Sequence, residues 1–282
     1  MEMEMEMNKL AVAISGVSGN GKIFAFVSGK GGVLKSTNSQ NLGVALAHQN
    51  YKVLILDFDP QKTTKHWDAI RQLVMDKQKA KLELKLSELK KTEAENGYKN
   101  PIVTKHLYNK ATELRKMKNL KVMDVNPSSV NWSEIEALKS EYDFIICDTS
   151  GHLELIGTTK DIIKHSDMVF VPFNNSLDDF NVKLDVKRTI DSCGEIKAKV
   201  FSLVIDLNEK QGKKGFAEKM LNSVANVMPI APVKLYKRAS WLEVKFEGKG
   251  VIEGKKDKVA VAQFKNFATF VINEMNIAAN AA

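Results

Sequence analysis

The chain has 282 residues, enough for one large domain or two small ones and too many for a disulfide-stapled miniature fold. Apolar residues make up 44% and charged residues 27%, with only 6 prolines, which excludes collagen-like and disordered compositions. The formal net charge is +8, and the two cysteines, Cys147 and Cys193, offer neither a disulfide framework nor metal-ligand spacing.

Residues 1–22 read as a tail with a possible edge strand in "LAVAIS". Met1 to Met7 alternate Met with Glu instead of forming a signal segment, and no apolar run reaches the roughly 18 residues that cross a bilayer. A cytoplasmic location is therefore expected. The run from Gly16 to Lys22, "GVSGNGK", fits the spacing of a phosphate loop, but Ile23 and a strand-like stretch follow it where a hydroxyl residue and a helix are needed, so it reads as a plain loop. Strands are expected at Ile23 to Ser28, Lys52 to Asp57, Leu120 to Val125, Asp143 to Asp148, Met168 to Pro172 and Lys199 to Asp206. Several are apolar on both faces, as in "FIICD", and amphipathic helical stretches separate them. This is the pattern of an α/β fold with a mostly parallel twisted sheet flanked by helices, covering residues 23–276 and followed by a short tail at 277–282.

Between about 68 and 118 lies a basic insertion. From Lys62 to Lys121 there are 16 Lys and Arg against 7 Asp and Glu. Trp67, Ile70, Leu73 and Val74 fit a helix, Leu82, Leu84 and Leu86 alternate like a strand, "NGYKNP" marks a turn, and Thr104 to Lys118 is helical again. Val259 to Met275 spaces Val259, Ala262, Phe267 and Val271 as the apolar face of a terminal helix docked on the core, with Phe264 and Phe270 beside them; few basic residues accompany it, so no membrane association is expected.

The chemistry concentrates in "IFAFVSGKGGVLKSTNSQNLGVALA", a buried strand, a glycine-rich loop and a helix. Glycines let backbone N–H groups close on phosphate oxygens, Lys35 reaches the terminal phosphates, Ser36 offers a hydroxyl to magnesium, and the helix N-terminus adds partial positive charge. "KGGVLKST", followed in order by "VLILDFDPQKTTKHW" and "YDFIICDTSGH", resembles the motifs of the ParA/MinD/Soj family of deviant Walker A P-loop ATPases, over roughly Ile23 to Glu274.

The resemblance implies a SIMIBI-type P-loop NTPase that hydrolyses ATP with Mg2+. Gly29, Lys30, Gly31, Gly32, Val33, Leu34, Lys35, Ser36 and Thr37 would form the nucleotide loop, Lys30 being the signature lysine that crosses an ATP-sandwiched homodimer. Asp59 would orient the attacking water, Ser36, Asp57 and Asp148 would serve the metal, and Asn208 could contact adenine. Lys234, Lys237 and Arg238 stand where ParA-like proteins contact DNA phosphates. The implied function is a nucleoid-associated partition ATPase that binds duplex DNA without sequence preference and moves cargo with a ParB-like activator. The alternatives are a DNA-binding scaffold without turnover and a MinD-like regulator. One departure stands out: Leu34 replaces the family's glycine, and its β-carbon is expected to strain the backbone and crowd the phosphates.

Overall fold

The computed structural model describes residues 20–97, 100–151, 156–174, 177–205, 214–233 and 235–280. Within them, β1 (Lys22–Phe26), β2 (Val53–Asp57), β3 (Leu120–Asp124), β4 (Phe144–Asp148), β5 (Met168–Asn174) and β6 (Lys199–Ile205) form a six-stranded sheet. The order is β3-β2-β4-β1-β5-β6, and all neighbours are parallel. Each strand lies within one or two residues of the sequence expectation at either end. Helices cover both faces of the inner strands, which is why β2 and β4 lack polar alternation, whereas the edge strand β3 alternates buried and exposed residues. In β1, Phe24 and Phe26 join the core on one face, while Ile23 and Ala25 join the core on the other.

The first face packs against α1 (Lys35–His48), which follows β1, and against helices from the end of the chain. The chain next runs outward to β2, makes the long excursion α2 (Thr63–Asn96) and α3 (Pro101–Lys118), and adds β3 at the edge. It returns through α4 (Trp132–Ala137) to β4, then crosses β1 through α5 (Ile156–His165) to β5 and through α6 (Leu177–Asp191) to β6. This reversal of direction around β1 and β4 opens a crevice at the carboxyl ends of the strands, the place where such sheets bind ligands.

The excursion is an antiparallel helical hairpin, and Leu82, Leu84 and Leu86, whose alternation resembles a strand, lie inside α2. Leu82 and Leu86 are one helical turn apart and, with Met75 and Leu89, make a stripe against Leu107, Leu114 and Met117 of α3; Leu84 points outward at 61% exposure. Alternation here is a helix stripe with one exposed leucine inside it. Gly97 in the left-handed region ends α2, and the Asn100 side chain accepts from the N–H groups of Ile102 and Val103 at 3.2 Å to start α3.

After β6 come α7 (Lys214–Val227), α8 (Ala239–Phe246), the short α9 (Val251–Gly254) and α10 (Lys258–Asn280). The terminal helix docks on the core as expected, but its buried face is rotated: Ala260, Phe264, Phe267, Ala268, Val271 and Met275 are inside, while Val259 is 50% exposed and Ala262 is exposed. The larger aromatic side chains set the face, packing Phe267 edge-on against Phe26 and Phe170. No helix among the described residues is long and apolar enough to cross a membrane.

Candidate phosphate-binding site

β1 carries Ser28 and the glycine loop to the carboxyl edge of the sheet, and α1 opens directly at Lys35. The loop is held from within. The Lys35 Nζ donates to Ser28 Oγ at 2.9 Å and to the Lys30 carbonyl at 3.1 Å, and Ser28 Oγ donates to that same carbonyl at 2.7 Å. From the opposite side Gly151 presses on the loop so closely that a β-carbon there would stand 2.6 Å from Lys30 and Gly31 backbone atoms. Gly31 and Gly32 are open outward, with no atom within 4 Å of where a β-carbon would stand, and Gly32 has φ 76°. Exposed backbone above a helix N-terminus is the geometry that cradles phosphate.

Leu34 takes φ 62° and ψ 25°, the left-handed conformation that glycine adopts freely. The strain expected there is present, at about 1–3 kcal/mol for a side-chain-bearing residue. Its side chain packs against the core cluster beside α1, so contact with the core fixes its direction.

Two parallel ladders align three carboxylates at this edge, because Asp57 pairs in register with both Asp148 and Asp124. Asp57 is fully buried and accepts from the N–H groups of Asp59 at 3.1 Å and Lys65 at 2.8 Å. Burial pushes its pKa up, and these N–H groups oppose the shift. Asp148 is also fully buried: Oδ2 accepts from Thr64 Oγ1 at 2.6 Å, whereas Oδ1 has no partner. Burial pushes Asp148 up to about 7, the hydroxyls of Thr64 and Ser36 and the charge of Lys35 pulling down and Asp57 pushing further up. Burial lowers Lys35, against the pull of Asp148 and Asp59. Asp59 is half-buried and accepts from the Gln61 N–H at 3.0 Å.

Lys35, Ser36, Asp57, Asp59 and Asp148 thus meet around one crevice, with the Lys30 backbone carbonyl at the Lys35 ammonium group. Thr64 was not anticipated; it also accepts from Gln40 Nε2 at 3.0 Å and so ties α1 to the Asp148 carboxylate. Lys245 on α8 was missed as well: burial lowers its pKa, and the Asp148 charge opposes that shift. No motif spacing marks either residue, since only the fold brings α2 and α8 to the loop. Lys237 and Arg238 lie apart from the crevice, exposed at the start of α8, where Arg238 pairs with Asp257. Asn208 and Lys234 lie outside the described residues.

The donor set fits a phosphate chain with a hard cation. A buried carboxylate oxygen without a partner, a hydroxyl beside it and a lysine behind an open glycine loop are what oxygen-ligated magnesium and phosphate require. A family profile described as an AAA domain matches residues 21–185, and the ordered loop and carboxylates above fall within it. The chain belongs to the ParA/MinD family of P-loop ATPases. An uncharacterized protein of Methanocaldococcus jannaschii is 26% identical over 269 residues, covering 90% of this chain and 99% of that one. The sporulation initiation inhibitor Soj of Bacillus subtilis is 27% identical over 54% of this chain and 58% of its own. Among solved structures, the septum site-determining protein MinD of Pyrococcus horikoshii complexed with Mg-ADP is 18% identical, with a TM-score of 0.55 over 91% of this chain and 98% of that one. The ParA/MinD fold accounts for the topology, and the crevice described above occupies its carboxyl edge.

Proposed function

We propose that this chain is a ParA-type ATPase that binds ATP with Mg2+, closes as a homodimer and holds duplex DNA without sequence preference, with a ParB-like partner stimulating hydrolysis. The observation that carries the reading is the convergence of Lys35, Ser36, Asp57 and Asp148 on one crevice, including the partnerless Asp148 oxygen. Bound ATP and magnesium would supply the phosphoanhydride and the Lewis acid. Lys35 balances phosphate charge, Ser36 and Asp148 offer oxygen to the cation, and Asp57 stays anchored by two N–H groups. Asp59, less buried, is placed to orient water, and Lys30 is assigned to the partner's phosphates. Lys237 and Arg238 are assigned to DNA phosphates, and Lys234 and Asn208 keep the roles that the family motifs imply.

The test is nucleotide binding, hydrolysis and sedimentation of the purified protein with magnesium, with and without nonspecific duplex. ATP should produce a dimer that Lys35→Ala and Lys30→Ala abolish; ATP-independent oligomers of unchanged size in all three proteins would defeat the reading. Leu34 favours one alternative, a scaffold that binds nucleotide and does not turn it over, because this strained departure from the family's loop keeps the loop's shape yet stands next to the lysine that serves hydrolysis. Tight ATP binding without phosphate release, with or without duplex, would select it.

A further inference from the structure

At the far end of α1 from the phosphate loop lies an open groove of about 780 Å³. Lys116 of the hairpin, Lys255 after α9, and Lys258 and Lys265 of α10 line it with His48, and no acidic residue does. Lys258 and Lys265 are seven residues apart and share one stripe of α10. Lys255 pairs with Glu113; among the described residues Lys116, Lys258 and Lys265 have no ion-pair partner. A second groove of about 770 Å³ adjoins the first through Lys258, which lines both; it brings in Lys237, Arg238 and Lys256 together with Glu243 and Asp257, and Asp257 pairs with Arg238.

Same-sign charges gathered from three separate parts of the chain into a concavity repel one another unless an anion is held there. The acid-free charge lies in the first groove, where Lys116, Lys258 and Lys265 are spread along an open concavity, which suits a ligand with repeated charge better than a single small anion. The position matters too. His48 stands 13 residues beyond Lys35 on α1, so the rise of about 1.5 Å per residue sets the groove about 20 Å from the phosphate loop. None of its lining residues belongs to the loops that surround the nucleotide crevice.

We infer that this groove binds the phosphodiester backbone of duplex nucleic acid, through Lys116, Lys258 and Lys265, without requiring nucleotide. The inference extends the DNA-binding part of the proposed function to a second set of residues, and it makes the helical hairpin part of the binding surface. Binding of this kind is sequence-independent and acts by releasing counterions.

The experiment is fluorescence anisotropy of a labelled nonspecific duplex with the full chain, across a salt series, without nucleotide and with ATP and magnesium. Lys116→Gln/Lys265→Gln is compared with wild type; Lys265 is exposed and Lys116 half-buried, and a circular dichroism melt establishes that the variant keeps the fold. The expected result is nucleotide-free binding by wild type that the double variant weakens at least tenfold, with the slope of log affinity against log salt reduced by about 1.8, roughly 0.9 for each phosphate that the variant no longer neutralises. Unchanged nucleotide-free affinity and slope in the folded variant, or no nucleotide-free binding by wild type, would overturn the groove even if ATP still strengthens binding. An ATP effect that is absent while the variant loses nucleotide-free binding would instead sink the partition reading and leave the groove standing. Poly-glutamate that displaces the duplex at a lower charge concentration than unlabelled duplex does would overturn nucleic acid as the ligand in favour of an acidic protein segment.

Discussion

At position 34 a leucine holds φ 62°, and two effects of opposite sign meet there. Replacing it with glycine relieves about 1 kcal/mol of left-handed strain. It also gives up about 1 kcal/mol of half-buried packing and adds about 0.5–1 kcal/mol of backbone freedom to the unfolded chain. Leu34→Gly is therefore expected to lower stability by about 1 kcal/mol in urea unfolding, and to change ATP affinity less than threefold, since the loop already has the shape glycine would give it. Tenfold tighter binding would show that the leucine obstructs phosphate after all. Asp148 makes the opposite case. Its Oδ1 is buried without a partner, so removing the charge relieves desolvation. Asp148→Asn should keep or raise the melting temperature without ligand while magnesium-dependent nucleotide affinity falls at least tenfold. A loss of stability equal to the loss of binding would mark Asp148 as a structural residue only.

Among the elements, those whose residues answer to local rules were legible in the sequence. The inner strands could be placed because a run such as "VLILD" is buried on both faces, the edge strand β3 because "LKVMD" alternates, and the phosphate loop because its glycines, lysine and hydroxyls are contiguous. The hairpin was misjudged at Leu82 to Leu86, since two leucines facing α3 and one facing solvent imitate strand alternation when α3 is out of view. The face of α10 was off because Phe264 and Phe267 outweigh the smaller Val259 and Ala262. Thr64 and Lys245 reach the crevice only through tertiary packing, so no local pattern could reveal them. The hairpin has its own apolar seam and meets the rest of the fold near its base, where Arg71, fully buried, donates to Glu253 at 2.6 and 2.7 Å. Leu107→Ala, at a site 2% exposed, is expected to cost about 2–4 kcal/mol locally. Hydrogen exchange should then speed up in α2 and α3 while β1 and β4 stay protected; equal acceleration throughout would mean that the hairpin and sheet unfold as one unit.

The stability of the whole molecule carries two buried charges with different signatures. Glu253 is held down to about 2, burial opposing the combined pull of Arg71 and His48, so the stability it contributes is present above the ordinary glutamate range and is lost as pH falls toward 2. Lys183 works the other way. It is 1% exposed on α6, donates to Ser202 Oγ at 2.5 Å and lies 4.7 Å from the Phe173 ring centre, and burial lowers its pKa to about 7. Between pH 7 and its ordinary value near 10.4 the unfolded chain binds a proton there that the folded chain does not, so stability rises with pH across that window, by up to about tenfold in the unfolding constant per unit. Lys183→Met removes the charge while keeping a long apolar stem, and Ser202 Oγ can still donate to the Met228 carbonyl at 3.5 Å. The variant is expected to melt several degrees above wild type at pH 7, with the gap closing toward pH 10 as the wild-type lysine no longer charges on unfolding. Melting curves at pH 7, 8, 9 and 10 decide it: a constant gap would mean that the change acts through packing, and a variant less stable at pH 7 would mean that the ammonium group is held by interactions stronger than its desolvation.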